Sequence, residues 1–216
     1  MKLYYYDHCP FCTRARMIVG LRGLVDVEQI PLANDDEATP IGLVGKKMVP
    51  ILIKADGTAM GESLDIVRYL DEYAGGERLD DTIRPALQAW LDTVNAYSNQ
   101  LLSPRSTRIG LPEFATESAR AYYTAKKSAA YGDFAENLAR SDELLARLHA
   151  DLPALVPLIS SAEHLGARPG YEDIITFPLL RNLTMVKGVA YPPEIRRYVE
   201  TMSAKCRVPL FDDRAI

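Results

Sequence analysis

Residues Tyr6-Asp7-His8-Cys9-Pro10-Phe11-Cys12-Thr13-Arg14 read YDHCPFCTR and hold two of the chain's three cysteines, separated by Pro-Phe. The aromatic run Lys2-Leu3-Tyr4-Tyr5-Tyr6 before them suits a short strand. After them, Phe11, Ala15, Ile18, Val19 and Leu21 fall at helical spacing, with Gly20 and Gly23 as candidate stop signals. Pro10 fits the first position of that helix, where a missing N–H costs nothing and its fixed φ favours entry. The stretch is therefore a strand, a turn bearing a thiol, and a helix whose first residues hold a second thiol.

Outward from this point the order of elements continues as strand, short helix, two strands and helix. "LVDVEQIPL" is the next strand candidate, and "ANDDEATPIGLVGKK" is loop with one short helix. "MVPILIKADGTAM" reads as two strands turning at Asp56-Gly57. "SLDIVRYLDEYA" is an amphipathic helix opened by Ser63 and closed by Gly75-Gly76. Beyond "GGERLDDTIRP" no strand pattern recurs. Trp90, Val94, Tyr97 and Leu101 share a helical face, two helices breaking near Tyr131-Gly132 follow, and "EDIITFPLLRNLTMVKG" and "PPEIRRYVETMSAK" are two more. The expected organisation is an α/β domain over residues 1–74, a linker over 75–85 and an all-helical domain over 86–216.

With 216 residues, 48% apolar and 25% charged, the chain has an ordinary globular composition and enough length for a substantial core. A net charge of −4 without a basic block argues against nucleic acid and anionic membrane partners. No apolar run suggests a membrane span, and the N-terminal residues lack a secretory pattern, so a cytoplasmic location is expected. In a reducing compartment three cysteines do not make a disulfide scaffold. Structural zinc wants four ligands, and the other candidates, His8, His149, His164 and Cys206, are scattered. No metal is expected.

The redox reading has a local physical basis. With Pro10 first in the helix, Cys9 is its N-cap and faces the free N–H groups of Phe11 and Cys12. A thiolate there accepts those hydrogen bonds and meets the positive end of the helix dipole. His8, Arg14 and Arg16 favour the charge, and Asp7 opposes it. Cys9 is then the attacking thiolate, and Cys12, one turn inward, the resolving thiol.

These features resemble the glutaredoxins, whose active site is typically Cys-Pro-Tyr-Cys after the first strand, and especially those two-domain members built on the glutathione-transferase plan. The resemblance runs through "YDHCPFC", "VPIL", "MGESLDIVRYLD" and "DIITFPLLRNLT". It implies a thioredoxin-like domain with an all-α domain, and glutathione bound as co-substrate in a cleft between them. By the same resemblance, Val49-Pro50 is a cis-proline turn whose Val49 backbone receives the cysteinyl part of glutathione as a short added strand. Glu62-Ser63 matches an acidic-serine pair, with Ser63 and the adjacent amides holding the γ-glutamyl carboxylate and Glu62 its ammonium group. Lys46 and Lys47 are placed to meet the glycyl carboxylate. Phe11 departs from the family's tyrosine, keeping a flat apolar wall and losing a hydroxyl. Gly170-Tyr171-Glu172-Asp173 stands where such folds open a core helix with a Ser/Thr-x-x-Asp box, leaving Asp173 to reach back alone.

The expected activity is glutathione-dependent reduction of protein–glutathione mixed disulfides and protein disulfides by a monomer. The alternative is a glutathione transferase, in which Cys12 would have no task. A third reading is a binding module or a metal-cluster carrier using Cys9 across a dimer, which the second cysteine and Pro10 disfavour. Tyr97, Tyr122 and Tyr123 are expected in the core, and Cys206, His149 and His164 without function.

Overall fold

The computed structural model describes residues 1–216. The chain begins β1 (Lys2–Tyr5), α1 (Pro10–Leu21), β2 (Glu28–Pro31), α2 (Ala38–Val44), β3 (Ile51–Ile53), β4 (Ala59–Met60) and α3 (Ser63–Ala74), the order expected from the sequence. Among longer elements, only helices follow: α4 (Pro85–Ser106), α5 (Glu117–Tyr131), α6 (Phe134–Ala139), α7 (Ser141–Asp151), α8 (Tyr171–Leu183) and α9 (Pro193–Cys206). No helix is long and apolar enough to cross a membrane. The chain folds into two compact units. One gathers Met1–Arg78 with the later segments Gly110–Tyr123 and Lys205–Val208; the other holds Leu79–Ile109, Thr124–Ala204 and Pro209–Ile216.

In the first unit the sheet order is β2-β1-β3-β4, with β1 parallel to β2 and antiparallel to β3, and β3 antiparallel to β4. This is a thioredoxin-like arrangement, a parallel βαβ crossover followed by a hairpin and a helix. Leu3, paired with Leu52, and the adjacent Ile51 are fully buried, and because successive strand residues alternate faces the centre of the sheet is covered on both sides. The hairpin turns where Asp56 Oδ1 accepts the Thr58 N–H at 2.9 Å and Gly57 adopts φ +83°. Arg22 pairs with Asp71 and donates to the Glu77 carbonyl at 2.6 Å, tying the end of α1 to α3.

Gly20 is not the stop signal of α1. It lies inside the helix, and a Cβ there would stand 1.8 Å from the Cys206 carbonyl oxygen. The stop falls at Gly23, whose φ of +61° suits glycine.

In the second unit α8 is buried on every side, as a helix central to its bundle must be. Its charged residues are satisfied. Arg84 grips Glu172 with Nε and Nη2 (2.6 Å at the shortest) and donates to the carbonyls of Leu158 and Leu165. Asp173 Oδ2 accepts the Gly170 N–H at 3.0 Å, and its Oδ1 accepts from Leu165 N–H and the Tyr198 hydroxyl. Asp173 thus reaches back as the sequence suggests. The absence of a serine or threonine cap has a steric reason: a Cβ on Gly170 would stand 2.7 Å from the Asp80 carbonyl, which accepts the Tyr171 N–H.

Between Glu117 and Leu158 the two expected helices are three, followed by a 3-10 turn. The break at Gly132 occurs where expected, and Asp133 restarts the chain by capping Ala135 and Glu136. A second break falls at Arg140. Pro153 and Pro157 then remove donors from an α-helical ladder, and Leu152–Leu158 tightens to 3-10 geometry.

Candidate active site

Cys9 is the N-cap of α1, with extended backbone (φ −75°, ψ 118°), and Pro10 is the first helical residue. The Cys9 sulfur accepts the Cys12 N–H at 3.3 Å. Cys12 is fully buried, and its sulfur accepts the Tyr6 N–H at 3.3 Å. Cys9 is partly exposed, and both are free thiols. A hydrogen bond from the Cys12 thiol does most to lower the Cys9 pKa, to about 7. Burial opposes this, while the charge on His8 and the N–H groups of Cys12 and Phe11 assist. For Cys12 the direction reverses, because burial and the neighbouring Cys9 push its thiol well up. Two cysteines one helical turn apart are chemically unequal.

Asp7, the local group opposing a thiolate, is neutralised by an ion pair with Arg16, which also stacks on the Tyr5 ring. Arg14 lies over Phe11 (4.7 Å) and donates to Ser63 Oγ at 3.4 Å. Phe11 is 51% exposed.

The Val49–Pro50 peptide bond is cis. Val49 packs on the same small cluster as Cys9, formed by Tyr6, Cys12 and Leu32. Val49 therefore stands beside the thiols, just before β3.

Glu62, not Ser63, is the cap of α3, and it adopts φ +63°. A non-glycine residue in that region costs about 1–3 kcal/mol, and such residues cluster at binding sites. Ser63 is the first helical residue, 7% exposed, with its hydroxyl turned to Arg14 rather than capping the helix. Lys46 and Glu62 pair with each other at 3.2 Å on the surface.

Lys47 has other partners than a tripeptide. Its ammonium donates to Tyr6 Oη (2.9 Å), to the Asn34 carbonyl (2.9 Å) and to the Asp36 carbonyl, between the rings of Tyr6 and Tyr122. A glycyl carboxylate would have to displace one of these oxygens.

One neighbour has no signal in the sequence. Glu113, from the segment between α4 and α5, is fully buried and accepts both the N–H and the Nδ1–H of His8 on Oε1 (2.9 and 2.6 Å). The two residues are 105 positions apart, and a lone glutamate in the short 3-10 turn Pro112–Phe114 carries no periodicity to mark it. Tyr97 and Tyr123 are buried as expected, and Tyr122 is half-buried with its hydroxyl on Glu37. Cys206, His149 and His164 remain apart, and no three metal-ligating side chains gather anywhere in the chain.

A dithiol at a helix N-terminus of a thioredoxin-like unit, joined to an all-helical unit, defines a thiol–disulfide oxidoreductase on the glutathione-transferase plan. The comparisons are narrower. Residues 86–215 match the family model "Glutaredoxin 2, C terminal domain", and residues 3–78 match "Glutathione S-transferase, N-terminal domain". Glutaredoxin 2 of Escherichia coli K12 is 44% identical over 216 residues, covering 100% of both chains. The crystal structure of glutaredoxin 2 from Salmonella typhimurium in complex with glutathione superposes with a TM-score of 0.96 at 44% identity, over 100% of this chain and 98% of that one. Maleyl pyruvate isomerase, a bacterial zeta-class glutathione S-transferase, shares the fold (TM-score 0.59, 16% identity, 96% and 95% covered). The chain belongs to the glutaredoxin 2 family, and is thus a glutathione-dependent thiol–disulfide oxidoreductase.

Proposed function

We propose that Cys9 is the nucleophile and Cys12 the resolving thiol, and that the chain acts on protein–glutathione mixed disulfides with glutathione as co-substrate. The observation that carries this reading is the capped Cys9 sulfur, poised near pKa 7 above a buried Cys12 whose thiol is held protonated. The Cys9 thiolate attacks the glutathione sulfur of the mixed disulfide. A Cys9–glutathione disulfide forms as the substrate thiolate leaves. A second glutathione thiolate then attacks the glutathione sulfur on Cys9, giving glutathione disulfide and restoring the Cys9 thiolate. In the dithiol branch Cys12 loses its proton and attacks Cys9 sulfur, releasing glutathione and leaving a Cys9–Cys12 disulfide. Either branch moves two electrons from two thiols to one disulfide.

Glutathione is assigned to the surface shared by Phe11, Val49, Pro50, Glu62 and Ser63, with residues 1–74 as the redox domain. The left-handed Glu62 and the free amides at the start of α3 support a carboxylate site there, with Ser63 and Arg14 beside it. Lys47 supports the pocket wall by holding the Asn34 and Asp36 carbonyls under Tyr6. Glutathionylated and disulfide-containing proteins are the proposed substrates, in the cytoplasm, with the enzyme acting as a monomer. Conjugation chemistry leaves the buried second thiol without a task.

Two measurements test the reading. The rate of Cys9 alkylation by iodoacetamide, followed by peptide mass spectrometry, should rise with pH through a midpoint of about 7. The sign follows from thiolate being the reactive form: the rate is near its plateau above about pH 8 and falls about tenfold for each pH step below about 6. A midpoint at the free-thiol value of about 8.5 would remove the proposed activation. Ser63→Ala should raise KM for glutathione by roughly 10–100-fold, the loss of a hydrogen bond to a charged group, with the alkylation midpoint unchanged. An unaltered KM would exclude Ser63 from the carboxylate site.

A further inference from the structure

We propose that Glu113 is a positioning residue for the redox site: its buried carboxylate, brought from 105 residues downstream, clamps His8 beside Cys9 and so governs how reactive Cys9 is. The inference rests on the reading of Cys9 as nucleophile and adds a residue outside the Cys-Pro-Phe-Cys helix.

The clamp is built from both ends. One carboxylate oxygen takes the backbone N–H and the ring Nδ1–H of His8, fixing the loop between β1 and α1 and the orientation of the ring at once. Glu113's own backbone is held too, because its carbonyl accepts the Asn34 N–H at 2.9 Å. The His8 ring is packed on three sides: stacked with Tyr6 (5.9 Å), tilted on Phe114 (4.9 Å) and edge-on to Tyr123 (5.0 Å). Such a ring has one orientation, and the residue that follows it is the capping cysteine.

Charge balance gives the clamp its purpose. Burial would raise the Glu113 carboxyl, but the hydrogen bond and charge of His8 outweigh it, and the group is held below the usual carboxylate range. Its other oxygen, Oε2, is buried with no hydrogen-bond partner. A buried carboxylate in that position needs donors, and the backbone N–H and ring Nδ1–H of His8 provide them. The His8 end of the pair lowers the Cys9 thiol, while the Glu113 end raises Cys12.

The other titratable groups facing this corner are accounted for. Asp7 is paired with Arg16, and Arg14 on α1 is a fixed cation over Phe11. Tyr6 is pushed up by burial and bears Lys47 on its hydroxyl; Asp36 and Glu37 lie in the segment leading into α2. Tyr123 faces the His8 ring from α5.

The sign of the effect separates this role from its rivals. Acting directly on Cys9, the negative charge of Glu113 would raise its midpoint, so removing it would lower that midpoint. Acting through His8, Glu113→Gln raises the midpoint, by about 0.5–1 in pH, and slows alkylation at pH 6 by about three- to tenfold. A packing role alone would change thermal stability and leave the midpoint in place. His8→Asn keeps a donor at the δ position for Glu113 but removes the imidazole; it should give the same rise, and H8N/E113Q should show no further rise. The test is the pH profile of Cys9 alkylation in the full chain, with circular dichroism on each variant. An unchanged or lowered midpoint in folded E113Q overturns the proposal, as does a further rise in the double variant. Should E113Q not fold, H8N decides, and an unchanged midpoint there overturns it. A wild-type midpoint near 8.5 would instead overturn the nucleophile reading itself.

Discussion

Cys9→Ser should abolish turnover of a glutathione mixed disulfide, while Cys12→Ser should retain it. A serine hydroxyl is not ionised near neutral pH and cannot form the Cys9–glutathione disulfide, so the loss should be on the order of 10³-fold or more. The cap geometry makes the prediction asymmetric. Cys9 accepts the Cys12 N–H and has its pKa lowered to about 7, whereas Cys12 is fully buried and its thiol is raised. Removing Cys12 also removes the thiol hydrogen bond that does most to lower Cys9. Cys12→Ser keeps a hydroxyl donor in that place, so monothiol deglutathionylation should persist, and the dithiol reduction of protein disulfides should be lost. The measurement is a glutathione-reductase-coupled assay with the mixed disulfide of glutathione and a small thiol. Turnover by Cys9→Ser within tenfold of the parent would refute the assignment, as would inactivity of folded Cys12→Ser.

The second large effect is on stability. Gly20→Ala sets two terms against each other. Alanine is favoured over glycine inside a helix by about 1 kcal/mol, so helix propensity alone makes the variant more stable. The Cβ, however, would fall 1.8 Å from the Cys206 carbonyl oxygen and 2.3 Å from its carbon. Both are backbone atoms, which cannot rotate away as a side chain tip would. Overpacking costs about 1–3 kcal/mol and occasionally more, and a backbone clash lies at the upper end. A net loss of about 2–3 kcal/mol should lower Tm by roughly 5–10 °C for a chain of this size. Thermal unfolding followed by circular dichroism checks this. A variant as stable as the parent would mean that α1 and residue 206 do not approach this closely.

Gly20 also shows how a residue can be read correctly as special and for the wrong reason. Glycine near a helix end is usually a stop, and that role belongs to Gly23 with its positive φ. Gly20 is a point of close approach to a carbonyl 186 positions away along the chain, 206 minus 20, and local sequence carries no trace of such a partner. Gly170 is similar. Its missing side-chain cap looks like a defect until the Asp80 backbone is found where a Cβ would go. Lys47 is a third instance: the sequence places it near the Val49-Pro50 turn, but the fold occupies its ammonium with Tyr6, Asn34 and Asp36.

What local sequence determines is set by interactions within a few residues. Pro10 after Cys9 dictates a helix start, the helix start dictates which thiol caps it, and the cap makes the two cysteines unequal. The order of strands and helices follows from patterning over windows of similar length. Tertiary structure decides whatever needs distant segments at one place. It recruits Gly110–Tyr123 and Lys205–Val208 into the redox unit, a grouping that a linear division at residues 74–86 does not contain. It sets Glu113 against His8 beside the capping cysteine. A buried carboxylate is tolerable only opposite a partner, and which partner it meets is fixed by packing over the whole unit rather than by any spacing along the chain.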